Sequence, residues 1–148
     1  MTNLKKMIFI LSFMVIPLSI FLFSKNFFFK ERMNCEAKNI SVEQAYNLYK
    51  NQNAIFIDAR FKGFYDYERI NGAFSFPLME KGKWSTDLKK TIEKKTVIVV
   101  YCDNYVCGLS GELANYLVQI GYCNVFNLFG GIDAWKENGY PIISSTQF

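Results

Sequence analysis

Histidine is absent from the 148-residue sequence. This absence excludes Ser-His-Asp and Cys-His catalysis, in which an imidazole activates the nucleophile, and it excludes every metal site with a histidine ligand. The four cysteines include no C-x2-C pair, so a zinc knuckle is not expected either. We therefore expect no metal and no cofactor, and any nucleophile must work without a histidine base.

The sequence also lacks a basic excess in its main part. The net charge is +4, but the first 35 residues hold five basic side chains and one acidic side chain, while the remaining residues hold twelve of each sign. The positive charge therefore flanks an apolar N-terminal run and indicates membrane topology. We expect a membrane as a partner and no nucleic acid.

The apolar run Met7–Phe23 follows Lys5 and Lys6 and contains no charge. As a helix it would reach roughly 25 Å, a little short of a bilayer core. Residues 1–25 are therefore a signal anchor or a signal peptide, and the lack of an A-x-A-like cleavage site favours the anchor. The short basic flank favours a membrane-anchored protein whose domain is periplasmic or otherwise extracytoplasmic, or secreted or periplasmic if the segment is cleaved.

Short β-branched runs alternate with helical patterns after residue 40. We predict strands at 54–57, 73–76, 97–101 and 125–128, and helices at 42–50, 61–67, 84–93, 108–120 and 132–138. Ser41 and Gln44 form a predicted capping box for the first helix, and Lys81–Lys83 is predicted as a loop. The alternation predicts an α/β domain with a central, mostly parallel sheet. We divide the chain into a juxtamembrane linker at 26–37, this domain at 38–143 and a C-terminal tail at 144–148.

Cys102 stands at the end of the most strongly predicted strand, Val97–Tyr101, and a helical pattern begins six residues later. Ligands bind at the carboxyl ends of strands in parallel sheets. Loop amides and the dipole of the following helix are expected to lower the pKa of such a thiol and so to make it a nucleophile. The alternative is a buried core cysteine. The candidate binding loop consists of Asp103, Asn104, Tyr105, Val106, Cys107 and Gly108.

Several short motifs follow one another in a distinctive order. They are IDAR at 57–60, RINGA at 69–73, FP at 76–77, VVYC at 99–102, GYCNV at 121–125, GGIDAW at 130–135 and GYP at 139–141. Together they resemble single-domain rhodanese-like (sulfurtransferase) proteins over about residues 38–143. The resemblance implies a three-layer α/β domain with a catalytic cysteine at position 102.

The resemblance also implies a chemistry. Cys102 would take a sulfane sulfur from a small donor, carry it as a persulfide and pass it to a thiophilic acceptor, a protein thiol among the candidates. The amides of residues 103–108 would hold the anionic sulfur. Asp58 and Arg60 are expected to support the site by an ion pair or hydrogen bonds that fix the facing loop.

The candidate loop departs from the family pattern in its charge. Many members carry a basic residue there to hold an anionic donor such as thiosulfate, whereas this loop has none, has Cys107 near the usual arginine position and has an acidic Asp103. The donor is therefore open. No arginine follows Arg69, which counts against the related phosphatases and arsenate reductases, since those hold an oxyanion with a loop arginine.

Two other functions remain open from the residues. Cys107 is a candidate resolving thiol, so the protein is alternatively an extracytoplasmic thiol–disulfide redox protein that uses Cys102 and Cys107. The missing loop arginine also leaves a catalytically inactive rhodanese-like binding module. Cys123 is expected to be a structural thiol, and Cys35 to pair with another chain or to stay unpaired.

Overall fold

The structure is a computed structural model that describes residues 35–145. The predicted signal anchor or signal peptide at 1–25 lies outside the described residues, as does most of the predicted linker. Within residues 35–145, no helix is both long enough and apolar enough to cross a lipid bilayer.

Seven strands form two sheets in the described part of the chain. The strands are β1 (Lys38–Ile40), β2 (Ile55–Asp58), β3 (Glu68–Ile70), β4 (Phe74–Ser75), β5 (Ile98–Tyr101), β6 (Val125–Leu128) and β7 (Ile142–Ser144). Five strands form a parallel sheet in the order β1-β6-β5-β2-β4, and β3 pairs with β7 in an antiparallel ribbon. Strand β5 is central, as the sequence predicts.

Helices connect the parallel strands. They are α1 (Val42–Lys50), α2 (Lys62–Tyr67), a 3-10 turn (Leu78–Glu80), α3 (Lys81–Thr91), α4 (Leu109–Gln119) and α5 (Gly131–Glu137). The predicted capping box of α1 is confirmed, since the Gln44 backbone N–H donates to Ser41 Oγ at 3.3 Å and the Ser41 N–H donates to Gln44 Oε1 at 2.9 Å. These two bonds satisfy N–H groups that have no partner inside the helix.

The predicted loop at Lys81–Lys83 is wrong, because α3 begins at Lys81 directly after the 3-10 turn. All three residues, Lys-Gly-Lys, are exposed, so this first turn contains no large apolar side chain that would extend the helical periodicity. Trp84 holds the turn in place by donating its indole N–H to the Pro77 carbonyl at 2.9 Å.

Alternating side chains of β5 pack into two hydrophobic cores. Ile98 and Val100 join the core under α3 and α4, whereas Val99 and Tyr101 join the core under α1 and α5. All four are buried, which explains the continuous apolar run, because a central parallel strand is covered on both faces. The predicted α/β domain with a central parallel sheet is thereby confirmed.

Cys35 and Cys123 form a disulfide across a sequence separation of 88 residues. The expectations for these two cysteines, a structural thiol at 123 and an unpaired or intermolecular cysteine at 35, are therefore wrong. The reason is the strand register: β1 pairs with β6 so that Lys38 faces Phe126, and each cysteine lies three residues before its member of that pair. The pairing of β1 with β6, which only the tertiary structure reveals, thus brings the two sulfur atoms together.

Candidate active site

Cys102 directly follows the last residue of β5, at the carboxyl edge of the parallel sheet. Its neighbour Tyr101 is paired with Asp58, the last residue of β2, so the ends of two central strands meet beside the thiol. The side chain is buried, with 1% of its surface exposed. The structure therefore places Cys102 where the sequence predicts a ligand site.

The Cys102 thiol has two polar partners. It donates to the backbone carbonyl of Cys107 at 3.2 Å, and it lies 3.2 Å from Ser110 Oγ. A thiol has one proton to donate, so the Ser110 hydroxyl is the donor in the second contact. Ser110 belongs to the first turn of α4 and is itself buried. It is a site residue that the sequence reasoning did not single out.

The pKa of Cys102 contradicts the sequence expectation of a lowered value. Burial raises the pKa to about 11, and interaction with the Cys107 side chain also raises it, while the hydroxyl and backbone N–H of Ser110 lower it. The expected effect of the helix N-terminus is therefore present through Ser110, but the loss of solvent outweighs it. Cys102 rests as a thiol, and its reactive thiolate is a minor form at neutral pH.

Asn104 organises the loop that follows Cys102. Its side-chain Oδ1 accepts from the Val106 backbone N–H at 3.2 Å, and its carbonyl accepts from the Cys107 N–H at 3.3 Å. These two amides therefore serve the turn, which corrects the expectation that all amides of residues 103–108 surround the sulfur. The turn folds the chain back so that the Cys107 carbonyl meets the Cys102 thiol.

The outer part of the loop is apolar and exposed. Val106 is 92% exposed and Tyr105 is 58% exposed. The Tyr105 ring contacts Phe129 edge-on, with 5.0 Å between ring centroids. Gly108 caps the start of α4. The loop thus contributes no cationic group to the mouth of the site, in agreement with its sequence.

Arg60 joins the loop to the end of β2, as the resemblance implies. Its guanidinium binds the Asp58 carboxylate at 2.8 Å and the Asp103 carboxylate at 3.2 Å, and it donates to the Glu68 carbonyl at 2.6 Å. Arg60 and Asp58 are buried. The Asp58–Arg60 pair therefore holds Asp103, the first residue of the loop, in place from the end of β2.

Arg60 is fully engaged by these partners. Burial acts to lower its pKa, but hydrogen bonds and charge from Asp58, together with Asp103, raise the pKa above the ordinary value for arginine. The charge is therefore neutralised locally. The Arg60 guanidinium therefore supports the loop but leaves little positive electrostatic potential to attract an anionic donor.

The start of α5 holds the loop through two backbone hydrogen bonds. The backbone N–H groups of Ile132 and Asp133 donate to the carbonyls of Cys102 and Asp103, each at 2.9 Å. A Cβ atom at Gly131 would lie 2.5 Å from both carbonyl oxygens, so only glycine permits this approach. The sequence shows Gly130-Gly131 only as part of the GGIDAW motif, and the contact of Gly131 with the Cys102 carbonyl is not evident from that motif.

Comparisons with known proteins agree with this architecture. The family model described as Rhodanese-like domain matches residues 41–138. Among curated proteins, "Thiosulfate sulfurtransferase GlpE" of Actinobacillus succinogenes is 27% identical over 103 residues, covering 70% of this chain and 87% of that protein. The protein of the same name from Coxiella burnetii is 28% identical, covering 68% of this chain and 89% of that protein.

Solved structures share the fold. The rhodanese-like domain of an Anabaena protein superposes with a TM-score of 0.65 at 21% identity, covering 76% of this chain and 85% of that one. A rhodanese-related protein from Thermoplasma volcanium gives a TM-score of 0.57 at 26% identity, covering 72% and 97%. The family match spans most of the described domain and includes the β5–Cys102–α4 unit. This chain therefore belongs to the rhodanese-like family.

Proposed function

We propose that the protein is a sulfurtransferase that carries sulfane sulfur as a persulfide on Cys102 and passes it to a thiophilic acceptor. The observation that carries the proposal is the place of Cys102: a buried thiol at the carboxyl end of the central strand, in a loop held by Arg60 and α5. The relatives named thiosulfate sulfurtransferase support the reaction class.

The reaction needs only the thiolate and a good leaving group. Cys102 loses its proton to solvent, and its thiolate attacks the outer sulfur of the donor, so that a new S–S bond forms while the donor's S–S bond breaks and its electron pair leaves with the remaining thiolate or sulfite. An acceptor thiolate then attacks the outer sulfur of the Cys102 persulfide and releases the Cys102 thiolate. Ser110 stabilises the Cys102 thiolate by donating its hydroxyl hydrogen bond.

The charges around the loop favour a weakly charged donor. Arg60, which follows β2, is bound to two carboxylates, and the loop 103–108 itself contains no basic side chain. A thiosulfate dianion would therefore meet the partly exposed Asp103 carboxylate, while the single positive charge of Arg60 is already shared between two carboxylates. We propose a donor of lower charge than thiosulfate, such as the singly charged hydropolysulfide anion or the persulfide of a small thiol, as the preferred donor.

The intact mass of the full-length chain tests this proposal. Immediately after exposure to polysulfide, before any further reaction of the loaded chain, the chain is expected to gain the mass of one sulfur atom, and thiosulfate is expected to load it less. The Cys102→Ser variant should gain nothing, whereas the Cys107→Ser variant should still load. Unchanged loading of Cys102→Ser would contradict the proposal. Absence of loading by either donor would favour the rhodanese-like binding module.

We also propose that the domain works in an oxidising, extracytoplasmic compartment, anchored through the apolar run at 7–23. The Cys35–Cys123 disulfide supports this, because such bonds persist outside the reducing cytosol. Alkylation of free thiols in intact cells, followed by non-reducing electrophoresis, tests it. Two free thiols per chain are expected. Four would contradict the proposed compartment.

A further inference from the structure

The domain contains a second thiol directly beside Cys102. Cys102 and Cys107 are both free, and the Cys102 thiol contacts the Cys107 backbone carbonyl at 3.2 Å. The turn that Asn104 holds brings the two residues together. Cys107 is partly exposed whereas Cys102 is buried, so the outer thiol has access to solvent and the inner one does not.

This arrangement distinguishes the two sulfurs of a Cys102 persulfide. The inner sulfur is Sγ of Cys102, a residue that is only 1% exposed, so an external thiol has access mainly to the outer sulfur. Cys107 is different, because its backbone already touches Sγ and its side chain is close enough to raise the Cys102 pKa. A thiol tethered at this position gains the advantage of an intramolecular reaction.

We propose that Cys107 is a resolving thiol that attacks the inner sulfur of the Cys102 persulfide and releases sulfide. This inference rests on the proposed function, since it begins from the loaded enzyme. The Cys107 thiolate forms a bond to Cys102 Sγ while the bond to the outer sulfur breaks. The electron pair leaves with the outer sulfur, which departs as hydrosulfide. Cys102 and Cys107 are then joined by a disulfide, and the sulfane sulfur has been reduced to sulfide by the two electrons that the Cys102 and Cys107 thiols together give up.

The step makes the protein a persulfide reductase for one turnover without any external acceptor. A further turnover requires a dithiol reductant, such as a thioredoxin-like protein or dithiothreitol, which reduces the Cys102–Cys107 disulfide and is itself oxidised to a disulfide. The partial exposure of Cys107 offers this reductant a sulfur to attack. The local charge favours departure of hydrosulfide, because Arg60 is occupied and Asp103 is acidic.

A single-turnover experiment tests the proposal. The full-length chain is loaded with polysulfide under conditions that retain the Cys35–Cys123 disulfide, and small molecules are removed by gel filtration. Sulfide release and intact mass are then followed without an acceptor. The wild-type chain is expected to release one equivalent of sulfide per bound sulfur and to end two hydrogen masses below the unloaded chain.

The Cys107→Ser variant should keep the added sulfur and release sulfide at least about tenfold more slowly, because the intramolecular attack is lost. A matched control combines Cys107→Ser with Thr91→Cys, which restores the number of thiols at an exposed position in α3. Thr91 lines a groove with Ile55, the first residue of β2, and so lies away from the carboxyl edge. This control should behave like Cys107→Ser.

Two results would overturn the inference while leaving the proposed function intact. One is equal sulfide release from the wild-type chain and from Cys107→Ser. The other is a wild-type chain whose mass stays constant while peptide mapping finds the sulfane sulfur on Cys107, since that is a relay without reduction. Failure of both the wild-type chain and Cys107→Ser to take up sulfur, without formation of a Cys102–Cys107 disulfide, would instead contradict the proposed function.

Discussion

The two cysteine pairs lie at opposite edges of the same parallel sheet and have opposite chemistry. Cys35 and Cys123 precede the amino ends of β1 and β6 and are joined by a disulfide, whereas Cys102 and Cys107 lie beyond the carboxyl end of β5 and are free. The bonded pair is 88 residues apart in sequence. The free pair is only five residues apart.

Spacing along the sequence therefore does not decide which thiols of this domain are bonded. The amino-edge pair is brought together by strand register and closes a long loop, which is the arrangement in which a disulfide most restricts the unfolded chain. The carboxyl-edge pair is positioned by a turn, an ion pair and the start of α5. We therefore expect the amino edge to stabilise the domain and, under the proposed function, the carboxyl edge to carry the reactive sulfur.

The largest effect is expected from a substitution at the carboxyl edge that lowers the stability of the domain. Arg60→Met would leave the buried Asp58 carboxylate without its cation, and we expect the free energy of unfolding to fall by about 3–5 kcal/mol in urea titrations. Lys62→Met is the matched control, because Lys62 forms an exposed pair with Asp66 and should cost less than about 1 kcal/mol. Equal effects of the two variants would contradict the structural role of Arg60.

Removal of the amino-edge disulfide should have the next largest effect. Cys123→Ser is expected to lower the free energy of unfolding by about 2–4 kcal/mol, and Cys35→Ser should match it, since either change breaks the same bond. Sulfur loading per folded molecule should remain at the wild-type level. A folded Cys123→Ser chain that no longer loads sulfur would show that the two edges are coupled.

The pH dependence of Cys102 separates the reactive edge from an ordinary exposed thiol. With its pKa near 11, the thiolate fraction rises about tenfold for each pH unit from about pH 7 to pH 10. The rate of alkylation by iodoacetamide should rise in the same proportion. The measurement is made on Cys107→Ser, in which Cys102 is the only free thiol and its burial, the largest cause of the raised pKa, is retained. A rate that levels off near pH 7 would instead indicate the lowered pKa that the sequence suggested.

The smallest effect concerns Ser110. Its hydroxyl lowers the pKa of Cys102, so Ser110→Ala should raise that pKa further and slow alkylation at about pH 8 by roughly two- to tenfold. Ser144→Ala changes an exposed serine on β7 and should leave the rate unchanged. Faster alkylation of Ser110→Ala would show that relief of crowding at Cys102 outweighs the lost hydrogen bond.

Much of the fold could be predicted because its signals are local. The β-branched run before Cys102, the Ser41–Gln44 capping box and the helix beginning near Gly108 each lie within a few residues, and the structure contains all three. Strands β1, β3 and β7 were not predicted, because three-residue segments are too short to show an alternating pattern. The first turn of α3 was not predicted for a similar reason, because its exposed residues show no apolar periodicity.

The candidate site divides in the same way. The position of Cys102 at a strand end, the lack of a basic side chain in the loop and the supporting Asp58 and Arg60 could be predicted, since these depend on residue type and order. The Cys35–Cys123 bond, the approach of Gly131 to the loop carbonyls and the raised pKa of Cys102 depend on the folded chain. The reason is physical: register, close packing and burial arise from segments far apart in the chain, and no local pattern encodes them.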